Sequence, residues 1–302
     1  MNMPALTTAS VPHQFLASAY LVGHIPQTAL QSDKRVSYTL YIPPQHYHAK
    51  GEVQLPLLVF IHGTRRDLSP LHSDLEVFAN ANACAVLAPL FPAGLEGPHD
   101  VDSYKVLRSA TLRSDLALLD ILDVVGERWP GIQTDQVALI GFSGGGQFAH
   151  RFMYLHPERL LAVSVGAPGA VTLLDAKQKW PKGVADVEDV FGVSVDVGKI
   201  GEIAVQLIIG SEDVLSHGGA EFWRWLREME DCLPPGAAKG DESRARSERS
   251  GRREHLRDLQ TSLRGSGIDA ELEVVDGVAH DSAGVRIKVL SFARLHLLRL
   301  AR

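Results

Sequence analysis

Residues 137–157 read VALIGFSGGGQFAHRFMYLHP, and the architecture turns on this stretch. Its first part, VALIGFS (137–143), is a short apolar run that flows into glycines, and GGQFAHRFMYLHP (145–157) is spaced as a helix closed by Pro157. A continuous rather than alternating apolar run suits a strand buried on both faces of a parallel sheet. At the junction stands Gly141-Phe142-Ser143-Gly144-Gly145, a G-x-S-x-G pattern. A serine on so sharp a strand-to-helix turn projects its hydroxyl above the sheet, and glycines two before and two after remove the side chains that would collide there. The same turn aims the Gly144 N–H at a developing oxyanion. The bare pattern recurs by chance; the strand–turn–helix context makes it specific, and Ser143 becomes the candidate nucleophile.

Outward from this point the chain alternates strands and helices. Strands are expected in SYTLYIPP (37–44), LPLLVFIHG (55–63), ACAVLAPLFP (83–92), LLAVSVGAPG (160–169), IAVQLIIGSED (203–213) and AELEVVDGVAH (270–280). Helices are expected in LHSDLEVFANAN (71–82), from Ser109 to Trp129, and in VRIKVLSFARLHLLRLAR (285–302). In the second of these, Leu112, Leu116, Leu119, Leu122 and Val125 fall at helical spacing and are expected to share the buried face. The alternation implies a mostly parallel sheet with helices on both faces, an α/β class chain read as one domain over 1–302. Residues 1–15 read as a loose leader. Residues 170–202 lack clear periodicity and read as a short lid-like insertion. Residues 234–254, PPGAAKGDESRARSERSGRRE, carry almost no apolar side chains and read as a disordered surface loop with solvated arginines.

Composition narrows the function class. The 302 residues are 45% hydrophobic with a net charge of −6, which supplies one sizeable core and lacks the basic excess of a nucleic-acid binder. Cys84 lies in an apolar run and reads as a buried thiol, and neither it nor Cys232 enters a zinc-type spacing. The N-terminus lacks a signal-peptide pattern and no apolar run reaches the ~18 residues a membrane span needs. A soluble, cytoplasmic chain acting on a small molecule, without metal or organic cofactor, is the expectation.

Three further motifs sit at strand ends. His62-Gly63-Thr64 follows LPLLVFI, where the Thr64 N–H is the candidate second oxyanion donor and His62 reads as a loop-structuring residue. Gly210-Ser211-Glu212-Asp213 ends another strand, and ligands gather at the carboxyl ends of parallel strands. Asp213 is the favoured acid there, with Glu212 its rival. Ala279-His280-Asp281 closes the last strand. A neutral imidazole at His280 can accept the Ser143 proton and return it to a leaving group; His217 is the runner-up. For substrate contacts, the loop 92–105 offers Tyr104 and Lys105, and Trp180 and Phe191 in 170–202 can cover an apolar pocket. Trp223 and Trp225 read as core residues of a helix.

VFIHGT, ALIGFSGGGQFAHRF, LIIGSED and GVAH together make the chain resemble the α/β-hydrolase superfamily from Ser37 to Arg302. GFSGGGQFAHRFMYLHPERL is similar to polyhydroxybutyrate-depolymerase-like esterases. The WP…FG segment and VGAPGAVTLLD resemble hydrolases of fungal polyketide–peptide gene clusters. The resemblance implies a serine hydrolase with the triad Ser143, Asp213 and His280 and oxyanion donors at Gly144 and Thr64. It implies cleavage of an ester or thioester of a medium, partly apolar molecule. C–C bond hydrolysis, acyl transfer or assisted condensation in secondary metabolism would keep the same triad, and a non-catalytic ligand-binding member would keep only the fold. The chain departs from the family in the 234–254 insert and in a 170–202 segment too short for a full helical cap.

Overall fold

A computed structural model of the chain describes residues 6–48, 54–97, 100–214 and 251–298. Eight described strands form one sheet: β1 (Gly23–Ala29), β2 (Ser37–Ile42), β3 (Leu57–Ile61), β4 (Ala85–Leu90), β5 (Val137–Phe142), β6 (Leu160–Gly166), β7 (Ala204–Gly210) and β8 (Ala270–Val275). Their order is β1-β2-β4-β3-β5-β6-β7-β8. β1, β2 and β4 pair antiparallel, and every pairing from β4 through β3, β5, β6, β7 to β8 is parallel. The expected mostly parallel sheet is therefore present.

The period of two in the strands feeds two layers. In β3, Leu57, Val59 and Ile61 join the core beneath α2 (Ser114–Arg128), α3 (Gly144–Leu155) and α6 (Arg252–Gly265), while Leu58 joins the opposite layer with α1 (Asp74–Asn82) and α7 (Ser282–Leu297). Burial on both faces explains why these strands read as unbroken apolar runs. Two short helices, α4 (Val187–Phe191) and α5 (Val197–Ile200), lie between β6 and β7.

Four expectations are corrected. Leu116 is 43% exposed, and the buried face of α2 is Ala117, Leu118, Ile121, Leu122 and Val125; the helix starts at Ser114, so Leu112 lies outside it. Part of the supposed leader is packed: the Thr8 N–H donates to the Arg128 carbonyl at 3.1 Å and its hydroxyl lies 2.6 Å from that of Tyr47. β1 was not expected, because Pro26 interrupts its pattern; proline is tolerated on this edge strand, where the register shifts between Ile25 and Thr28. Finally, residues 252–254 of the supposed loop are the first turn of α6, with Arg252 buried. Residues 234–250 of that loop, and separately His217, Trp223, Trp225 and Cys232, lie outside the described residues.

Cys84 is free and buried, and burial pushes its thiol up to about 12, so it stays protonated. No described helix is long and apolar enough to cross a membrane.

Candidate active site

The turn at Ser143 follows from close backbone approach. Ser143 has φ +57° and ψ −115°, outside the usual regions for an L-residue. A Cβ on Gly141 would fall 2.2 Å from the Gly145 carbonyl oxygen, and one on Gly145 would fall 2.2 Å from that of Ile61. Only glycines let β5 turn into α3 this tightly against the end of β3. The Ser143 N–H donates to the Gly166 carbonyl at 2.8 Å, fixing the turn to β6.

The ends of β7 and β8 are joined to each other. The Ser211 N–H donates to the Val275 carbonyl at 2.7 Å and the Glu212 N–H to the Val278 carbonyl at 2.8 Å. Asp281 then caps α7, accepting from the Ala283 and Gly284 N–H groups at 2.9 and 3.2 Å. His280 is held between that cap and the Phe142 ring, 4.9 Å from its own centroid to centroid.

This scaffold brings together three side chains far apart in sequence. His280 Nε2 lies 3.1 Å from Ser143 Oγ, and His280 Nδ1 lies 2.6 Å from Asp213 Oδ2. A carboxylate only accepts, so Nδ1 carries the proton and Nε2 is left to receive one from the serine. The Asp213 side chain is fully buried, whereas Glu212 is exposed, so the rival acid does not reach the imidazole. Burial pushes the Asp213 carboxyl up, but hydrogen bonds and charge from His280 and Arg252 outweigh it and hold the group below the usual carboxylate range. Arg252 donates from its NH1 group to Asp213 Oδ1 at 2.6 Å. The composition of 234–254 hid this residue, because an arginine among serines, glycines and other charges carries no apolar periodicity.

Opposite the imidazole stands the loop after β3. A Cβ on Gly144 would lie 2.5 Å from the Tyr104 hydroxyl, 2.8 Å from Lys105 Cε and 3.1 Å from the Thr64 nitrogen, so the Gly144 and Thr64 backbones approach each other closely. The loop is clamped from several sides. His62 is fully buried; its Nδ1–H donates to the Gly63 carbonyl at 2.8 Å and its Nε2 accepts the Phe91 N–H at 3.1 Å. Burial drives its pKa down to about 4, so it stays neutral and structural, as its sequence position suggested. Arg66 ties the carbonyls of Thr64, Phe91 and Pro92 at 2.9, 3.0 and 2.9 Å.

No protein-family model matches the chain, and no curated protein matches its sequence. Solved structures do match. Poly(aspartic acid) hydrolase-1 from Sphingomonas sp. KT-1 superposes with a TM-score of 0.65 at 18% identity, over 89% of this chain and 98% of that one. LpqC, the poly(3-hydroxybutyrate) depolymerase from Bordetella parapertussis, gives 0.62 at 20% identity, over 98% and 100%. The siderophore hydrolase EstA from Aspergillus nidulans gives 0.56 at 16%, over 93% and 96%. The chain has the α/β-hydrolase fold.

Within this α/β-hydrolase fold the remaining expected residues take packing positions. Tyr104 is 1% exposed; its hydroxyl donates to the His62 carbonyl at 3.1 Å, and the Arg66 guanidinium covers its ring at 4.9 Å. Its hydroxyl would lie 2.5 Å from a Cβ on Gly144, so the ring packs beside that turn. Lys105 is equally buried and paired with Asp102. Trp180 donates its indole N–H to the Val106 carbonyl at 2.9 Å and meets Phe191 edge-on at 4.8 Å, while the Arg113 guanidinium covers the buried Phe191 ring. Phe191 is thus packed between Trp180 and Arg113. Among the described residues, no group of three or more His, Cys, Asp or Glu side chains is arranged to hold a metal ion.

Proposed function

We propose that the chain is a serine hydrolase that cleaves an ester or thioester of a medium, partly apolar small molecule through an acyl-enzyme on Ser143. The observation that carries this reading is the continuous relay Ser143–His280–Asp213, with contacts of 3.1 and 2.6 Å. The names of the superposing proteins, all hydrolases or depolymerases, agree with it.

In the first half-reaction the Ser143 oxygen attacks the acyl carbonyl while its proton moves to His280 Nε2. The carbonyl electron pair becomes an oxyanion, received by the Gly144 and Thr64 N–H groups. The tetrahedral intermediate collapses, the proton on Nε2 goes to the leaving alcohol or thiol, and an ester remains on Ser143. A water then repeats the sequence and releases the acid. Asp213 keeps the imidazole proton on Nδ1 and stabilises the imidazolium; no step needs a cofactor. The segment 170–202 serves as a fixed cover: Thr172 accepts from Arg151 Nε at 2.8 Å, and the Leu174 N–H donates to Ser262 at 2.8 Å.

The test is hydrolysis of p-nitrophenyl esters of increasing acyl length by the parent and by Ser143→Ala. Turnover in the parent, best with short-to-medium chains, and its loss in the variant are expected. Equal rates in the two would reject the nucleophile.

A further inference from the structure

The triad acid has a second partner that the reaction as described leaves unused. Asp213 presents one carboxylate oxygen to His280 Nδ1 and the other to Arg252 NH1, each at 2.6 Å. Arg252 is 5% exposed and opens α6, whose Leu256, Leu259 and Leu263 are anchored in the core, so the guanidinium is carried on a rigid element. With both oxygens engaged, rotation of the carboxylate about its terminal bond would break one or both hydrogen bonds.

The clamp also places charge. The imidazolium formed during attack is favoured by the Asp213 anion, and a guanidinium on the far oxygen offsets part of that anion. Several polar groups of the described residues are next to Asp213, His280 and Arg252 in the chain. From the loop after β7 come Asp213 and the exposed Glu212, from the α3 turn the Ser143 hydroxyl, and from the loop of His280 itself Asp276 and Asp281, the latter committed to the α7 cap. On α6, Arg252, Glu254 and Asp258 are the charged groups that act on His255. Among them Arg252 is the described cation in contact with Asp213.

We propose that Arg252 is a positioning residue of the triad: it orients Asp213 towards His280 and sets the pH at which the site gains activity. This inference rests on the serine-hydrolase reading. The sign follows from the charge. Removing a cation beside the Asp213–His280 pair makes the protonated pair easier to form, so a higher pH is needed to free Nε2 as the base.

The experiment is the pH profile of kcat/KM for ester hydrolysis by the parent, Arg252→Met, Arg252→Gln and Arg252→Lys, each checked for folding. In the two neutral variants the acid limb is expected to move up by about one pH unit, an approximately tenfold loss at pH values below it. Arg252→Lys keeps the charge and is expected to keep the limb, with kcat lowered about fivefold because an ammonium lacks the fixed fork. A limb that stays at the parent's position in the neutral variants, or moves equally in Arg252→Lys, overturns the proposal. Should both neutral variants fail to fold, Arg252→Lys decides, and a parent-like kcat overturns the orienting role. Labelling of Ser143 by a fluorophosphonate is recorded alongside. An unlabelled, inactive parent removes the hydrolase reading and this one with it; a labelled, active parent with coincident limbs removes only the role of Arg252.

Discussion

At the residue scale the site spends conformational energy to expose one hydroxyl. The backbone of Ser143, with φ +57°, costs on the order of 1–3 kcal/mol and persists because the Gly166 carbonyl and the α3 helix fix both sides of it. Ser143→Ala is expected to lower kcat by about 10⁴–10⁶-fold while leaving the unfolding temperature nearly unchanged. Asp213→Asn removes the charge that selects the Nδ1–H tautomer, and a loss of roughly 10³–10⁴ in kcat is expected; a loss under tenfold would mean that another group orients His280. The candidate nucleophile, acid and base could be picked out because each follows a strand segment, where the chain must turn. Arg252 was not, since its role depends on a pairing across 39 positions with no local pattern. The burial of Tyr104 was hidden for the converse reason: it lies in a loop near the site, and loop position alone does not reveal a ring packed under Arg66.

At the element scale, positioning depends on how strand ends touch. A Cβ on Gly210 would fall 2.0 Å from the Val278 carbonyl oxygen, so the loop carrying Asp213 and the loop carrying His280 are in backbone contact. Gly210→Ala is expected to separate them and to lower kcat more than tenfold, with a stability loss of about 1–3 kcal/mol; parent-like kinetics would show that the two loops are positioned independently. The face of α2 gives a second check. Leu118 is fully buried and Leu116 is 43% exposed. Leu118→Ala should cost about 2–5 kcal/mol in denaturant unfolding and Leu116→Ala about 0.5 kcal/mol or less. Comparable losses would restore the face read from spacing. That spacing was ambiguous because the helix carries leucine, isoleucine and valine on more than one side. β1 escaped notice because an edge strand broken by Pro26 has no continuous apolar run to betray it.

At the scale of the whole molecule, parallel strands from β4 to β8 place several strand ends at one rim, and an ordinary alternation of strand and helix was enough to foresee that. The order of the strands was not legible, because pairing partners are set by packing across the sheet rather than by neighbouring residues. The folded state also carries a pH signature. His62 and His150 are buried and held near pKa 4 and 3, against 6.5 for an ordinary histidine. As pH falls below about 6.5 the unfolded chain takes up these protons and the folded one does not. Stability should therefore fall by about 1.4 kcal/mol per pH unit for each histidine as pH drops from 6.5 towards 4. Asp115 adds to the loss at lower pH: burial raises its carboxyl, but Arg113 and His156 outweigh that and hold it below its ordinary value of 3.8. Its contribution is present above that value and disappears as pH falls through the folded one. Urea midpoints measured from pH 8 to 4 would check this, and a flat profile below 6.5 would mean that the two imidazoles are not held neutral.

The central claim is that Ser143, activated by His280, carries the acyl group. Rapid mixing with a p-nitrophenyl ester, acid quenching and peptide mass spectrometry test it most directly. The expected result is a single acyl adduct on the peptide containing Ser143, formed in the parent and absent from His280→Ala. An adduct on a different residue, or undiminished acylation in His280→Ala, would contradict it.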